Sequence, residues 1–160
     1  FFARWFTEQA KKKGFATAEI QISEGETPLH RLETVYRRVI ENLETAEAAP
    51  SAFREIIDGW FHVLETDAIA AGASADDESA LTAATTALME KRLLAVTKTA
   101  PAFSAALRGY RDAQLAGDVA QADGLLSWLG GQPHVAAAVR RTAGVRGELD
   151  HFGALGFLQG

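Results

Sequence analysis

The sequence predicts a mainly α protein, a helical domain of about five to seven helices hung on one helix–strand pair. Three observations carry this. Apolar residues recur at three-and-four spacing through most of the 160 residues. Capping residues and prolines stand just ahead of those runs. Only Phe15 to Ile22, FATAEIQI, alternates in the manner of a strand. Helix, tight turn and strand in that order form half of a βαβ unit, so a parallel sheet is expected, with its other strands outside this segment. Phe1 stands where an initiator methionine belongs, and the chain is expected to be an excerpt.

The first helix spans positions 1 to 13, where Phe2, Trp5 and Phe6 keep helical spacing, lysines fill the last turn and Gly14 supplies the stop. After the strand and a polar loop, SEGETP, Thr27 is expected to cap a helix with Pro28 at its first position. Leu29, Leu32, Val35, Tyr36, Val39, Ile40 and Leu43 carry its apolar face to about residue 45. Pro50 and Ser51 end that element and cap the next, in which Phe53, Ile56, Ile57, Trp60, Phe61 and Leu64 form a heavy apolar face to about residue 71. Asp76, Asp77 and Glu78 open a helix to about Thr99, Pro101 opens another, and Asp118 caps a third through Leu129. Gly130-Gly131 then breaks the chain. A short helix is expected from Pro133 to about Thr142, a glycine-punctuated turn over Gly144 to Gly147, and a final segment from near Glu148 that still runs at Gly160. No fixed period joins these helices, so a regular solenoid is disfavoured.

An apolar share of 48% with 23% charged residues suits one globular core. The absence of cysteine removes disulfides, thiolate zinc sites and cysteine nucleophiles, and points to a reducing, cytoplasmic setting. No apolar run reaches the length of a membrane span, so no membrane contact is expected. The net charge of −5 divides into +2 over residues 1–40, −8 over 41–129 and +1 over 130–160. An acidic middle repels phosphate backbones, which leaves any nucleic-acid contact to the ends or to the rest of a parent protein.

Catalytic signatures are sparse. His30, His62, His134 and His151 stand far apart, no HExxH pair or GxSxG elbow occurs, and GxxxxGK[ST] and GxGxxG are both missing. The acids Asp58, Glu65 and Asp67 have the spacing of a solvated helix face, so a small hydrolase with paired carboxylates has little behind it. The opening helix, however, has the position of one that follows a phosphate-binding glycine loop and leads into the next strand. Ser23, Glu24 and Glu26 then lie just beyond that strand, at the edge where α/β sheets build sites, and are candidates for the rim of a nucleotide site; a solvated acidic loop is the alternative. Arg140, Arg141 and Arg146 are candidates for contact with phosphate, nucleic acid or a neighbouring subunit, against a solvated basic face. Trp5, Trp60 and Trp128 sit on apolar faces and are expected in the core.

The run FFARWFTEQAKKKGFATAEIQISEGETPLHRLETVYRRVIENL, followed by FREIIDGWF, DGLLSWLGGQP and VRGELDHFGALGFLQG, resembles the bacterial P-loop ATP-binding proteins of BREX phage-defence systems, the BrxD-type family. The resemblance implies an AAA-like P-loop ATPase whose Walker A loop precedes the first helix and whose Walker B strand follows the last, with ATP and Mg²⁺ bound by the parent. Neither motif lies within this chain, so no catalytic residue and no metal ligand is assigned, and the fragment alone is expected to bind no cofactor and to be inactive. Residues 1–22 would belong to the ATPase core, 28–142 to a helical insert, and 146–160 to a helix leading back to the core. The insert would couple nucleotide state to a protein partner or, by self-association, to another subunit. The alternative is a stand-alone helical adaptor that binds protein through an apolar groove.

Overall fold

The computed structural model describes residues 2–159; Phe1 and Gly160, over which the first and last helices were expected to extend, lie outside the described residues. The elements in chain order are α1 (Phe2–Lys12), β1 (Thr17–Ala18), α2 (Leu32–Glu41), β2 (Leu43–Glu44), α3 (Phe53–Ala70), α4 (Glu78–Thr99), α5 (Pro101–Leu115), α6 (Val119–Leu129), α7 (Ala137–Thr142) and α8 (His151–Gln159). The mainly helical fold predicted by the sequence is the fold observed.

At the centre lies α5, which packs most extensively on α6 and also on α4, while α4 packs on α3. Its sequence, PAFSAALRGYRDAQL, is rich in small residues that let neighbouring backbones approach, and Phe103, Ala106, Leu107 and Tyr110 are fully buried. Gly109 shows how close that approach is: a Cβ there would stand 2.4 Å from the Cβ of Ala143, just beyond α7. Around this axis, Ile57, Phe61 and Leu64 of α3, Met89 and Leu93 of α4, and Leu125, Trp128 and Leu129 of α6 complete one core.

Several starts follow local chemistry. Asp77 caps α4, its side chain accepting from the Ala80 amide at 3.0 Å, and Asp118 caps α6 by accepting from Gln121 at 3.0 Å. Pro101 opens α5, where its missing N–H costs nothing. Between the helices, Arg54 of α3 pairs with Asp123 of α6 at 2.6 Å, Arg92 of α4 with Asp67 of α3, and Arg108 of α5 forks onto Glu90 of α4. The Arg108 guanidinium holds the Glu90 carboxyl below the usual range. All three pairs are partly exposed, so they set register more than stability.

Other expectations give way. The strand expected over Phe15–Ile22 is reduced to Thr17–Ala18, and it pairs antiparallel with Leu43–Glu44, not in a parallel sheet. The pairing consumes the end of the helix expected to run to residue 45, so α2 stops at Glu41. Thr27 does not cap it. Its backbone bridges Ser23 in both directions, at 3.2 and 3.3 Å, which locks it into a tight turn; Pro28 to Arg31 form another turn before the helix starts. Ser51, with φ of 80°, uses its hydroxyl to donate to the Glu41 carbonyl at 3.2 Å and leaves the cap position of α3 to Ala52. The short helix begins at Ala137, later than Pro133.

Tyr36 ties α2 to the core. Its ring is fully buried, and its hydroxyl donates to the Leu129 carbonyl at 2.6 Å, at the end of α6. Burial pushes its pKa upward, so it stays a donor at any ordinary pH. Gly131, at φ +81°, closes over the same ring, where a Cβ would lie 2.9 Å from Tyr36 Cδ1. The glycine pair that reads as a helix stop thus also makes a close approach. Tyr36→Phe, which leaves the Leu129 carbonyl unpaired in a buried place, is expected to lower stability by about 1–3 kcal/mol. Urea unfolding with an unchanged slope would measure it; a midpoint equal to that of the unsubstituted chain would show the bond to be idle.

Candidate functional site

The candidate residues near the strand occupy a formed turn. Ser23 Oγ accepts from the amides of Glu26 and Thr27 at 3.1 and 3.3 Å, so the hydroxyl is engaged in shaping Ser23–Thr27, and Glu24, Gly25 and Glu26 are exposed at its tip. Thr27 itself is buried. Arg140 and Arg141 fill the last turn of α7, where cations suit the negative end of a helix, and Arg146 is exposed beyond the Gly144 turn. Arg140 is half-buried, its Nε enclosed without a hydrogen-bond partner, whereas Arg141 is exposed.

The acids on α3 take another role than a solvated face. Asp58 accepts from the Tyr110 hydroxyl at 2.8 Å and from the Gln114 amide at 2.9 Å, and burial with that bond pushes the Tyr110 hydroxyl up to about 12. Glu65 lies 3.5 Å from the buried guanidinium of Arg111, which sits 5.2 Å above the centre of the Phe61 ring. Asp67 takes Arg92. Each carboxylate therefore fastens one helix to another. Their spacing along α3 offered no signal of this, because the partners come from α4 and α5.

Two apolar surfaces stand out. Along α1 the Phe2 ring lies 6.1 Å from that of Trp5 and 6.4 Å from that of Phe6, yet all three remain exposed, Trp5 to 53%. Of the three tryptophans expected in the core, Trp128 is buried and Trp60 half-buried, but Trp5 is not, because no other described element covers that face. What holds α1 is its link to the small sheet and an ion pair from Lys11 to Glu44 at 2.9 Å. The second surface is an open groove of about 680 Å³ between α3, α4 and α8, lined by Ile56, Trp60, Val63, Ala95, Val96 and Phe157.

One wall of that groove is α8. Asp150 caps it by accepting from the amides of Phe152 and Gly153 at 3.1 and 3.2 Å, and Ala154 is fully buried. Phe157 meets Trp60 edge-on at 5.1 Å and lies 5.2 Å from Phe103. His151 meets the Tyr36 ring edge-on at 5.2 Å.

These elements define a helical module with an open apolar groove and an uncovered aromatic helix. The model of the family described as BREX system ATP-binding protein BrxC/D matches residues 1–160, and the chain belongs to that family. The resemblance read from the sequence is thereby borne out. No curated protein and no solved structure matches the chain. The glycine-loop lysine signature does not occur in the sequence, and among the described residues no group of three or more His, Asp or Glu is placed to hold a metal ion. The Ser23 hydroxyl oxygen accepts two amides of its own turn. No helix among the described residues is long and apolar enough to cross a membrane.

Burial lowers the pKa of His151 below its ordinary 6.5, against the opposing pull of Glu33, Asp150 and Glu148. Its neutral form is the one that packs on Tyr36. The folded value lies below the unfolded one, so the stabilisation from this group is complete above pH 6.5 and is lost as pH falls through the folded value. Hydrogen exchange of the α8 amides, corrected for intrinsic rate, is expected to lose protection as pH falls below 6.5, and His151→Gln to remove that dependence. Equal pH profiles for the two proteins would refute it.

Proposed function

We propose that this chain is the helical insert of an AAA-like P-loop ATPase of a bacterial, cytoplasmic phage-defence system, and that it couples the nucleotide state of the adjoining core to a protein partner or another subunit. Residues 1–22 and 146–160 belong to the core in this reading, and 28–142 form the insert. ATP and Mg²⁺ are held by the parent through motifs outside this chain. Ser23, Glu24 and Glu26 stand at the edge nearest that site, and Arg140, Arg141 and Arg146 face a phosphate or a neighbouring subunit.

The observation that supports the reading best is the uncovered face of α1. A helix whose Phe2, Trp5 and Phe6 find no cover in the helical module, and of which no described residue is buried, calls for a second layer. A parent sheet supplies one. Membership of an ATP-binding family argues in the same direction and against a stand-alone adaptor without an ATPase parent.

The chain alone is expected to hydrolyse no ATP above background. A parent in which residues 28–142 are replaced by a short linker is expected to keep nucleotide binding and to lose nucleotide-dependent association with its partner, read by pull-down with ATP and with ADP. Association that survives the replacement would overturn the coupling role.

A further inference from the structure

The last helix is built from a sequence that makes helices poorly. HFGALGFLQ has two glycines in nine residues and no charged side chain to support it by ion pairing. Isolated helices shorter than about 12–15 residues are marginal even in alanine-rich sequences, so α8 owes its form to docking and to the Asp150 cap.

The two glycines differ in kind. Gly153 is required by packing: a Cβ there would lie 2.5 Å from the Cβ of Ala100, the single residue between α4 and α5. Gly156 is required by nothing in its surroundings. A Cβ there would meet no atom within 4 Å, and its φ is not in the left-handed region. It lowers the helix propensity of α8 with no gain in contact.

The grip of α8 is nonetheless specific. Phe157 seats against Trp60 of α3 and Phe103 of α5, Gly153 against Ala100, and His151 against Tyr36 of α2. A helix with little stability of its own, held by a small set of specific contacts, is the kind of element that opens locally.

We infer that α8 is a latch in exchange between a docked helix and an undocked segment, and that its docking is the step by which the adjoining core moves the helical module. The second half rests on the ATPase reading proposed above; the first does not. Undocking frees Ala100, Trp60 and Tyr36 together, and so loosens α2, α3 and the α4–α5 junction at once.

Amide exchange in this chain decides the first half. Amides of Ala154 to Leu158 are expected to exchange faster than those of Leu107 and Tyr110 in α5, which open only with the whole fold. Gly156→Ala should slow the α8 amides about fivefold, and Gly153→Ala should speed them, with α5 unchanged in both. Exchange of α8 in step with α5, or no slowing in Gly156→Ala, would overturn the latch, even if Gly153→Ala fails to fold. In the parent protein, the same amides are expected to exchange at different rates with ADP and with a non-hydrolysable ATP analogue. Equal rates in a parent that binds both nucleotides would overturn the coupling half alone, whereas a parent that binds neither would overturn the ATPase reading and the coupling with it.

Discussion

Everything in the module is arranged around the burial of α5. A helix enclosed on most of its circumference must present small residues where neighbours approach, and it is costly to leave the polar groups it carries inward without partners. Ala102, Ala106, Gly109 and Ala113 meet the first demand. Tyr110 answers the second by donating to Asp58, and Arg111 answers it in part by spreading over Phe61 beside Glu65, while its Nε and the buried Ser104 hydroxyl have no hydrogen-bond partner among the described residues. Buried charge of that kind is costly unless paired, which explains why α3 carries acids on the side that faces α5. The position of α3 is thus set twice, by its apolar face and by the hydrogen-bond needs of its neighbour.

The same demand separates what was legible in the sequence from what was not. Asp77, Pro101 and Asp118 were legible because a cap is decided within four residues of chain. Thr27 and Ser51 are capping residues as well, yet neither caps a helix: the Thr27 backbone is held in a bridge to Ser23, ahead of the turn that precedes α2, and the Ser51 hydroxyl donates to the Glu41 carbonyl. A local signal loses where a competing partner is equally local or is brought in by a turn. The strand over Phe15–Ile22 fails for a different reason. Alternation shows that a segment suits a sheet, but the length of a strand is fixed by its partner, and Leu43–Glu44 offers two residues.

Of the candidate site, the sequence conveyed the family and little geometry. The resemblance was read from long local runs that hold no catalytic signature, and the family match covers residues 1–160, the span that contains them. The carboxylates of α3 were visible as residues but not as ties, since their partners Arg92, Tyr110 and Arg111 lie some 25 to 52 residues away. Trp5 was misplaced for an instructive reason. Amphipathic periodicity says that a face will be covered, and it does not say by which part of a protein.

The two ends of the described chain solve opposite problems through α2. The opening helix α1 is strongly amphipathic but uncovered, and it is fastened by the pairing of β1 with β2 and by Lys11 on Glu44. The closing helix α8 is weak but covered, and His151 seats it on Tyr36. Between them, α2 runs directly into β2 through the single residue Asn42, while Tyr36 on the same helix grips the end of α6. A shift of α8 therefore has a contiguous route through Tyr36 to Leu129, and through the end of α2 to the small sheet and α1. Such a route is a physical path, and it becomes a coupling only where one of its joints has two positions. The joint with the weakest intrinsic structure and the most specific seat is the one between α8 and Ala100, which makes the conformation of a nine-residue helix the variable on which the arrangement of α2 and both of its neighbours depends.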